Sequence, residues 1–252
     1  MKISVITVCY NSESTIAKTI DSFLAQDHPD KEMIIVDGAS EDRTCEIVKS
    51  YSSPIISLQS ERDHGIYDAM NKGLRRVSGD AFGCLNSDDC YHFPQSLSLI
   101  ADALKSADLV SGQLHFVQEH DGAPPTRIWK PKPFTRGAYR WGYTVPHPTT
   151  YAHRRVLEKV GDFLPEYRTA GDYDWILRAL ELEGFSHKVV DAVLVDMRVG
   201  GESTNGLRAL YNNSREMLAV RQHRLGSGTV DMAMALNLLC KIKQILPKPI
   251  SG

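Results

Sequence analysis

The chain is poor in the features that would place it in a membrane, outside the cell or on a nucleic acid. None of its apolar runs approaches the ~20 residues needed to cross a bilayer. The N-terminal MKISVITVCYNSES has one lysine and a short apolar run, then turns polar, so it reads as a buried first strand and not as a signal peptide. The 5 cysteines, Cys9, Cys45, Cys84, Cys90 and Cys240, form no C-x-x-C pair. That pattern excludes a disulfide framework and a cysteine zinc site, and it suits reduced core thiols in a cytoplasmic protein. A formal net charge of −2 argues against nucleic acid as a partner, since its binders carry a strongly basic face. No G-x-G-x-x-G follows an early strand, and G-x-x-x-x-G-K-[ST], G-x-S-x-G, H-E-x-x-H and the EF-hand loop are all missing. These absences weigh against a dinucleotide cofactor, a P-loop nucleotidase, a hydrolase elbow and a zincin. The 9 histidines include no closely spaced ligand pair.

What is present is ordinary globular material, 42% hydrophobic and 24% charged over 252 residues, enough for one large α/β unit. Ile3–Val8 is a β-branched run that stops at Tyr10-Asn11-Ser12. Ser12 or Ser14 is placed to cap a helix with Ile16, Ile20, Phe23 and Leu24 on one face. Met33–Val36 is a continuous apolar run ended by Asp37-Gly38-Ala39-Ser40, as expected of a parallel strand buried on both faces. A helix over 42–51, a strand near 55–58, a helix over 66–77 and a strand over 81–85 follow. The face of the third helix is set by Ile66, Met70, Gly73, Leu74 and Val77. Such alternation predicts a parallel sheet covered by helices on both sides. The second half is less regular: one or two strands over 108–118, a Gly/Pro-rich loop over 121–133, helices over 154–160 and 172–183, and a strand or two over 188–198. Helices from 207 to about 246, broken near Gly226-Ser227-Gly228, complete the chain. A division near residue 110 separates a nucleotide-binding half from an acceptor-binding half within one compact unit.

Ligands of open parallel sheets bind outside the carboxyl ends of the strands, and polar residues collect at those ends: Tyr10 and Asn11, Asp37 and Ser40, Asp88 and Asp89. Asp37 and Ser40 also suit a turn and a helix cap, but three strand ends of the same character favour one shared site. The adjacent carboxylates Asp88-Asp89 repel unless a hard cation sits with them, which points to Mg²⁺ or Mn²⁺ completing its shell with substrate phosphates. Asp172 and Asp174, in Gly171-Asp172-Tyr173-Asp174, open a helix whose dipole favours acids there. One of them is a candidate to take the proton from an acceptor hydroxyl. His147 lies in a proline-bound loop that either lines a substrate or holds itself together. Gly200-Gly201 allows close backbone approach or simply a tight turn.

In their order along residues 2–205, these segments resemble a bacterial family 2 glycosyltransferase of the GT-A fold. The resemblance is carried by Ser4–Asn11, Ile35–Thr44, Ser60–Gly73, Leu85–Asp89 and Gly171–Asp174. The stretch Gly65–Gly73 is similar to enzymes that assemble colanic-acid-like and other surface polysaccharides. The resemblance implies a Rossmann-like, mostly parallel sheet over 1–205 with a helical C-terminal extension over 206–252. It also implies a nucleotide-sugar donor, with a UDP-sugar favoured and GDP- or dTDP-sugars as alternatives, an acceptor hydroxyl on a glycan or lipid-linked saccharide, and inversion in one displacement. Val8, Tyr10 and Asp37 would then flank or bind the nucleobase. Asp68, Asn71 and Lys72 would face the ribose, diphosphate or sugar, although Asp68 and Lys72 also suit an i,i+4 surface pair. Asp88 and Asp89 would hold ribose and metal, and Asp172 would be the base, with Asp174 the second choice. Two positions depart from the family pattern: Asn86 stands where many relatives have the first Asp of the metal motif, and Gly171 replaces the common Glu before the base.

Other readings of the same residues are a non-catalytic nucleotide-sugar-binding protein and a sugar nucleotidyltransferase. The four carboxylates argue against the first, and Tyr10–Glu13 in place of a Gly-rich basic loop argues against the second. Residues 230–246 combine an apolar stripe with Lys241, Lys243 and Lys248, a pattern that suits peripheral membrane association or packing on the domain or on a second subunit. Trp129, Tyr139, Trp141, Tyr143 and Trp175 offer ring faces for an acceptor sugar or for the core.

Overall fold

A computed structural model describes residues 1–120, 122–200 and 206–226. The β-branched run forms β1 (Ile3–Cys9), buried at every position. Its pleat sends Ile3, Val5 and Cys9 into one hydrophobic core and Ile6 and Val8 into a second. β2 (Lys31–Asp37), β3 (Ile56–Ser60) and β4 (Ala81–Cys84) join it in the parallel order β3-β2-β1-β4.

Helices cover both faces, as the alternation predicts. α1 (Ile16–Leu24) and α2 (Thr44–Ser50) bury Ile16, Ile20, Phe23 and Val48 in the first core. α3 (Ile66–Leu74) buries Tyr67, Ala69, Met70 and Leu74 in the second. Two local expectations are corrected. Neither Ser12 nor Ser14 caps α1: Thr15 holds the cap position without a side-chain bond, and the Ser12 hydroxyl lies 3.0 Å from that of Ser87. Ile66 is 42% exposed, because the buried face of α3 is rotated to include Tyr67 and Asn71. Gly73 is needed on that face, since a Cβ there would come within 2.5 Å of Ile6 on β1.

The second half contributes β5 (Cys90–Tyr91), α4 (Ser96–Leu104), β6 (Leu109–Val117), β7 (Arg127–Trp129), β8 (Tyr151–His153), α5 (Arg154–Val160), α6 (Gly171–Leu177), β9 (His187–Arg198) and α7 (Gly206–Leu225). β8 pairs antiparallel with both β4 and β6, and the described strands form one 9-stranded sheet, β3-β2-β1-β4-β8-β6-β9-β5, with β7 on β6. The sheet is therefore parallel through its first four strands and mixed beyond, and it runs unbroken across the division expected near residue 110. The loop expected over 121–133 contains β7, and the helix expected over 172–183 is α6 followed by a π-helical turn, Arg178–Leu182. The helix expected over 230–246 lies outside the described residues, as do Gly201 and Cys240.

Candidate active site

The loops leaving β1 and β2 are held to each other. Asn11 (φ 48°) and Ala39 (φ 63°) adopt left-handed backbone, unusual for residues with a Cβ and found where surrounding contacts enforce it. Those contacts are Asn11 N–H to Ser40 Oγ (2.8 Å), Glu41 N–H to Asn11 Oδ1 (3.0 Å) and Ser12 N–H to Thr44 Oγ1 (2.7 Å). At their centre Asp37 is fully buried. It accepts from Ser40 N–H (3.0 Å), from the Ser40 hydroxyl and from the Ser60 hydroxyl (2.6 Å). Burial opposes its charge, but the hydroxyl and amide donors outweigh burial and hold the carboxyl below its ordinary value. In this arrangement Asp37 organises the loop.

The open surface beside it belongs to Tyr10, 60% exposed. A Cβ at Gly38 would lie 2.6 Å from Asp63 Oδ2 and 3.4 Å from the Tyr10 ring, so Gly38 lets those two side chains converge. Asp63 was not singled out in the sequence; its cue is the Asp-x-Gly turn, in which Asp63 Oδ1 accepts from Gly65 N–H at 3.0 Å. Val8 is packed in the second core. Asn71, expected on the polar face of α3, is buried, and its amide clasps the Phe163 backbone through Nδ2–H to O (2.9 Å) and N–H to Oδ1 (2.9 Å). Lys72 bonds the Arg62 carbonyl (2.6 Å) and pairs with Glu61 (3.0 Å) and Asp68 (3.6 Å), while Asp68 accepts from His64 N–H (3.0 Å). Asp68 and Lys72 thus hold the 61–64 loop that carries Asp63.

After β4, Asp89 is 1% exposed and Asp88 half-buried. Asp89 accepts from Asn86 Nδ2 (2.9 Å) and from Arg198 N–H (3.2 Å). Burial and the neighbouring Asp88 charge push its carboxyl well above the ordinary range, and burial raises Asp88 as well. Asn86, which departs from the family pattern, therefore acts here as a donor orienting Asp89. Arg198 and His120 converge on Asp88: His120 Nε2 is 2.7 Å from its carbonyl, and burial, the largest influence on its carboxyl, is opposed by a backbone hydrogen bond and then by Arg198 and His120. The Arg198 Nη2 pairs with Glu119 (2.6 Å), and its buried Nε has no acceptor among the described residues. Arg198 and His120 escaped the sequence reading because β9 and the β6–β7 loop meet this turn only in the folded sheet.

Asp172 and Asp174 have separate fates. Asp172, half-buried in the first turn of α6, accepts from the Tyr67 phenol at 3.0 Å. Burial, and then the Asp172 charge, raise that phenol far above its ordinary value, so it remains a donor. The Tyr67 ring lies 2.7 Å from where a Cβ on Gly171 would be, so only glycine fits before Asp172. Asp174 is fully buried between Arg178 (Nε to Oδ2, 2.8 Å) and Arg224 of α7 (Nε to Oδ1, 2.8 Å). Glu216 of α7 accepts from Thr169 N–H (2.8 Å) and Ala170 N–H (3.1 Å), which fixes the entry to α6. His147 packs edge-on against Phe163, and burial lowers its pKa against the pull of Asp172. Of the aromatics noted in the sequence, Tyr139 and Trp175 are buried and Trp141 is 70% exposed, on the 138–141 turn whose amides Glu181 caps.

A mixed sheet of this order, with aromatic and acidic residues at the carboxyl ends of its parallel strands, is that of a GT-A glycosyltransferase. The chain belongs to the family described as Glycosyl transferase family 2, whose pattern it matches over residues 4–160. It is 30% identical over 179 residues, 70% of this chain and 68% of the relative, to an uncharacterized glycosyltransferase of Mycobacterium tuberculosis H37Rv. The fold is similar to that of S. aureus TarS in complex with UDP-GlcNAc (TM-score 0.68, 19% identity, 96% of this chain and 72% of that one). Of a longer TarS chain it covers 43%. It is also similar to the Pyrobaculum calidifontis mannosyltransferase PcManGT in complex with GDP-Man and Mn²⁺ (TM-score 0.64, 18% identity, 98% of this chain and 76% of that one).

Proposed function

We propose that this glycosyltransferase transfers a sugar from a nucleotide sugar, a UDP-sugar in first place, to a hydroxyl of a glycan or lipid-linked saccharide with inversion, and that Asp172 is the general base. The observation that carries this reading is the contrast within α6: Asp174 is enclosed by two arginines, whereas Asp172 keeps an oxygen beyond its Tyr67 bond and stands partly open. The nucleobase would lie flat on the exposed Tyr10 ring, with Asp63 at its edge. The acceptor oxygen forms a bond to the anomeric carbon as the bond to the diphosphate oxygen breaks; Asp172 takes the hydroxyl proton and the nucleoside diphosphate leaves. Arg198, with its unpaired Nε, and His120 are placed to meet the negative charge that leaves. Exposed Trp141 offers a ring face to the acceptor.

The Asp88–Asp89 pair fits a divalent cation such as Mn²⁺ or Mg²⁺, because two desolvated carboxylates side by side resist ionising together without one. Both Asp89 oxygens already accept hydrogen bonds, so Asp88 would bind the ion directly and Asp89 would orient the turn. Bound there, the cation would neutralise the leaving diphosphate.

The reading is tested by thermal unfolding against UDP-, GDP-, dTDP- and CMP-sugars with and without Mn²⁺ or Mg²⁺. A ligand selective for the native state adds stability by mass action, about 2.7 kcal/mol at a concentration 100 times Kd, and so raises Tm. A rise confined to one nucleotide class and enhanced by metal is expected; no rise with any donor would overturn the donor site.

The carboxylate pair also predicts a pH dependence. Its folded-state pKa values are raised, so above about pH 4 the folded chain holds protons that the unfolded chain has released. Metal-free stability should therefore fall as pH rises through the window up to those raised values, and the Tm increase produced by Mn²⁺ should grow with pH. In Asp88→Asn the repulsion is gone: metal-free Tm at neutral pH should rise by about 2–4 °C, as for ~1 kcal/mol in a chain of this size, and the Mn²⁺ response should vanish. A Mn²⁺ response independent of pH, or intact in Asp88→Asn, would place the ion elsewhere.

A further inference from the structure

On the far edge of the sheet, three side chains distant in sequence come together. β9 pairs with β6 so that Asp196 lies opposite His115, and with β5 so that Asp196 lies opposite Cys90. His92 follows β5 directly and is held by its N–H to the Leu194 carbonyl at 3.0 Å. His92 Nδ1 is 2.9 Å from Asp196 Oδ1, His115 Nδ1 is 3.4 Å from the same oxygen, and the three ligand atoms lie within 4.8 Å of one another. The imidazoles meet edge to face at 4.9 Å.

We propose that His92, His115 and Asp196 form a second divalent-metal site, selective for a late first-row ion of the Zn²⁺ class and separate from the Asp88–Asp89 pair. Bonds of about 2.0–2.1 Å from a tetrahedral ion set its ligand atoms roughly 3.3 Å apart, and the 2.9 and 3.4 Å separations bracket that edge. Two imidazoles and one carboxylate suit Zn²⁺, Co²⁺ or Ni²⁺ and disfavour Mg²⁺, which prefers an all-oxygen shell. His92, 38% exposed, leaves an entry path and room for water as the remaining ligand. An ion here ties β5, β9 and β6 together. Asp196 precedes by two residues Arg198, whose N–H holds Asp89, and Cys90 opposite Asp196 directly follows Asp89. The site is thus a clamp on the sheet edge that supports the carboxylate turn.

The test uses the intact chain, stripped with a chelator and then kept in excess Mg²⁺ so that oxygen sites are filled. Co²⁺ is titrated in and followed by visible absorption, then displaced with Zn²⁺. One saturable equivalent is expected, with the absorption of nitrogen- and oxygen-ligated cobalt and no thiolate charge-transfer band. Zn²⁺ should raise Tm in the same Mg²⁺ background. His92→Ala, at the exposed position, and His115→Ala should each weaken Co²⁺ at least about tenfold, since losing even an outer partner of a metal ligand has that effect, with metal-free Tm unchanged for His92→Ala. Absence of saturable Co²⁺ binding, a thiolate band, or undiminished affinity in both variants would overturn the site and leave a His–Asp–His hydrogen-bond cluster.

Discussion

Asp172→Asn is expected to lower the transfer rate by about 10²–10⁴-fold, the usual range for removing a positioned general base, while donor affinity and Tm stay close to those of the parent chain. The expectation rests on what the amide keeps. Its Oδ1 can still accept the Tyr67 phenol, now 3.0 Å away, and α6 retains its entry through Glu216. The change therefore removes basicity without removing the geometry, and the loss should appear in kcat, with the donor-induced rise in Tm preserved. Tyr67→Phe provides the complementary measurement. It leaves the carboxylate in place but frees its orientation, so a smaller loss in kcat is expected than from Asp172→Asn. Full turnover by Asp172→Asn would remove Asp172 from the chemistry, and Asp174 would not replace it, because both of its oxygens are engaged by arginines.

Apart from the family resemblance, which put Asp172 first, local sequence does not separate these two carboxylates. Both lie in the first turn of one helix, and the helix dipole favours an acid at either place. What distinguishes them in the fold is the pairing of Asp174 with Arg178 and with Arg224, the latter on a helix that the sequence reading treated as an extension beyond residue 205. The same limit appears elsewhere. β1 and β2 were legible because continuous apolar runs ended by polar turns have few other solutions in an α/β chain, and the strand ends then located Tyr10 and the Asp88–Asp89 turn. Asn71 was misplaced because a helical wheel ranks it with the polar residues, whereas the Phe163 backbone, 92 positions on, makes its amide a core clasp. Asp37 is the buried hub of its own loop, an arrangement that local sequence shows only as a turn and cap. Arg198, His120 and the His92–His115–Asp196 cluster left no trace in local spacing, since strand pairing alone assembles them. The Gly at 171 looked like a missing acid, and it is the space required by the Tyr67 ring.

The largest expected effect on stability is that of Asp174→Ala. The carboxylate is fully buried, and it compensates Arg178, whose remaining donors go to the Val160 and Asp162 carbonyls, and Arg224, which reaches across from α7. The Arg224 guanidinium is held more firmly protonated by its hydrogen bond to Asp174. Removing the carboxylate would leave two poorly solvated cations facing each other, so the cost is that of an uncompensated buried charge, about 3–5 kcal/mol. In a chain of this length that corresponds to a fall in Tm of roughly 2–4 °C per kcal/mol. Because Arg224 belongs to α7 and Asp174 to α6, the loss should loosen the helix that also carries Glu216, and with it the entry to the turn holding Asp172. Activity should then decline with temperature well before that of the parent chain, yet be recovered in part on cooling, which Asp172→Asn would not do. Adding Arg224→Met to Asp174→Ala should restore part of the lost stability, since it removes one of the stranded charges and keeps much of its packing. A double variant no more stable than Asp174→Ala would show that the arginines are solvated independently of Asp174, and the ion triad would then have no part in joining α7 to α6.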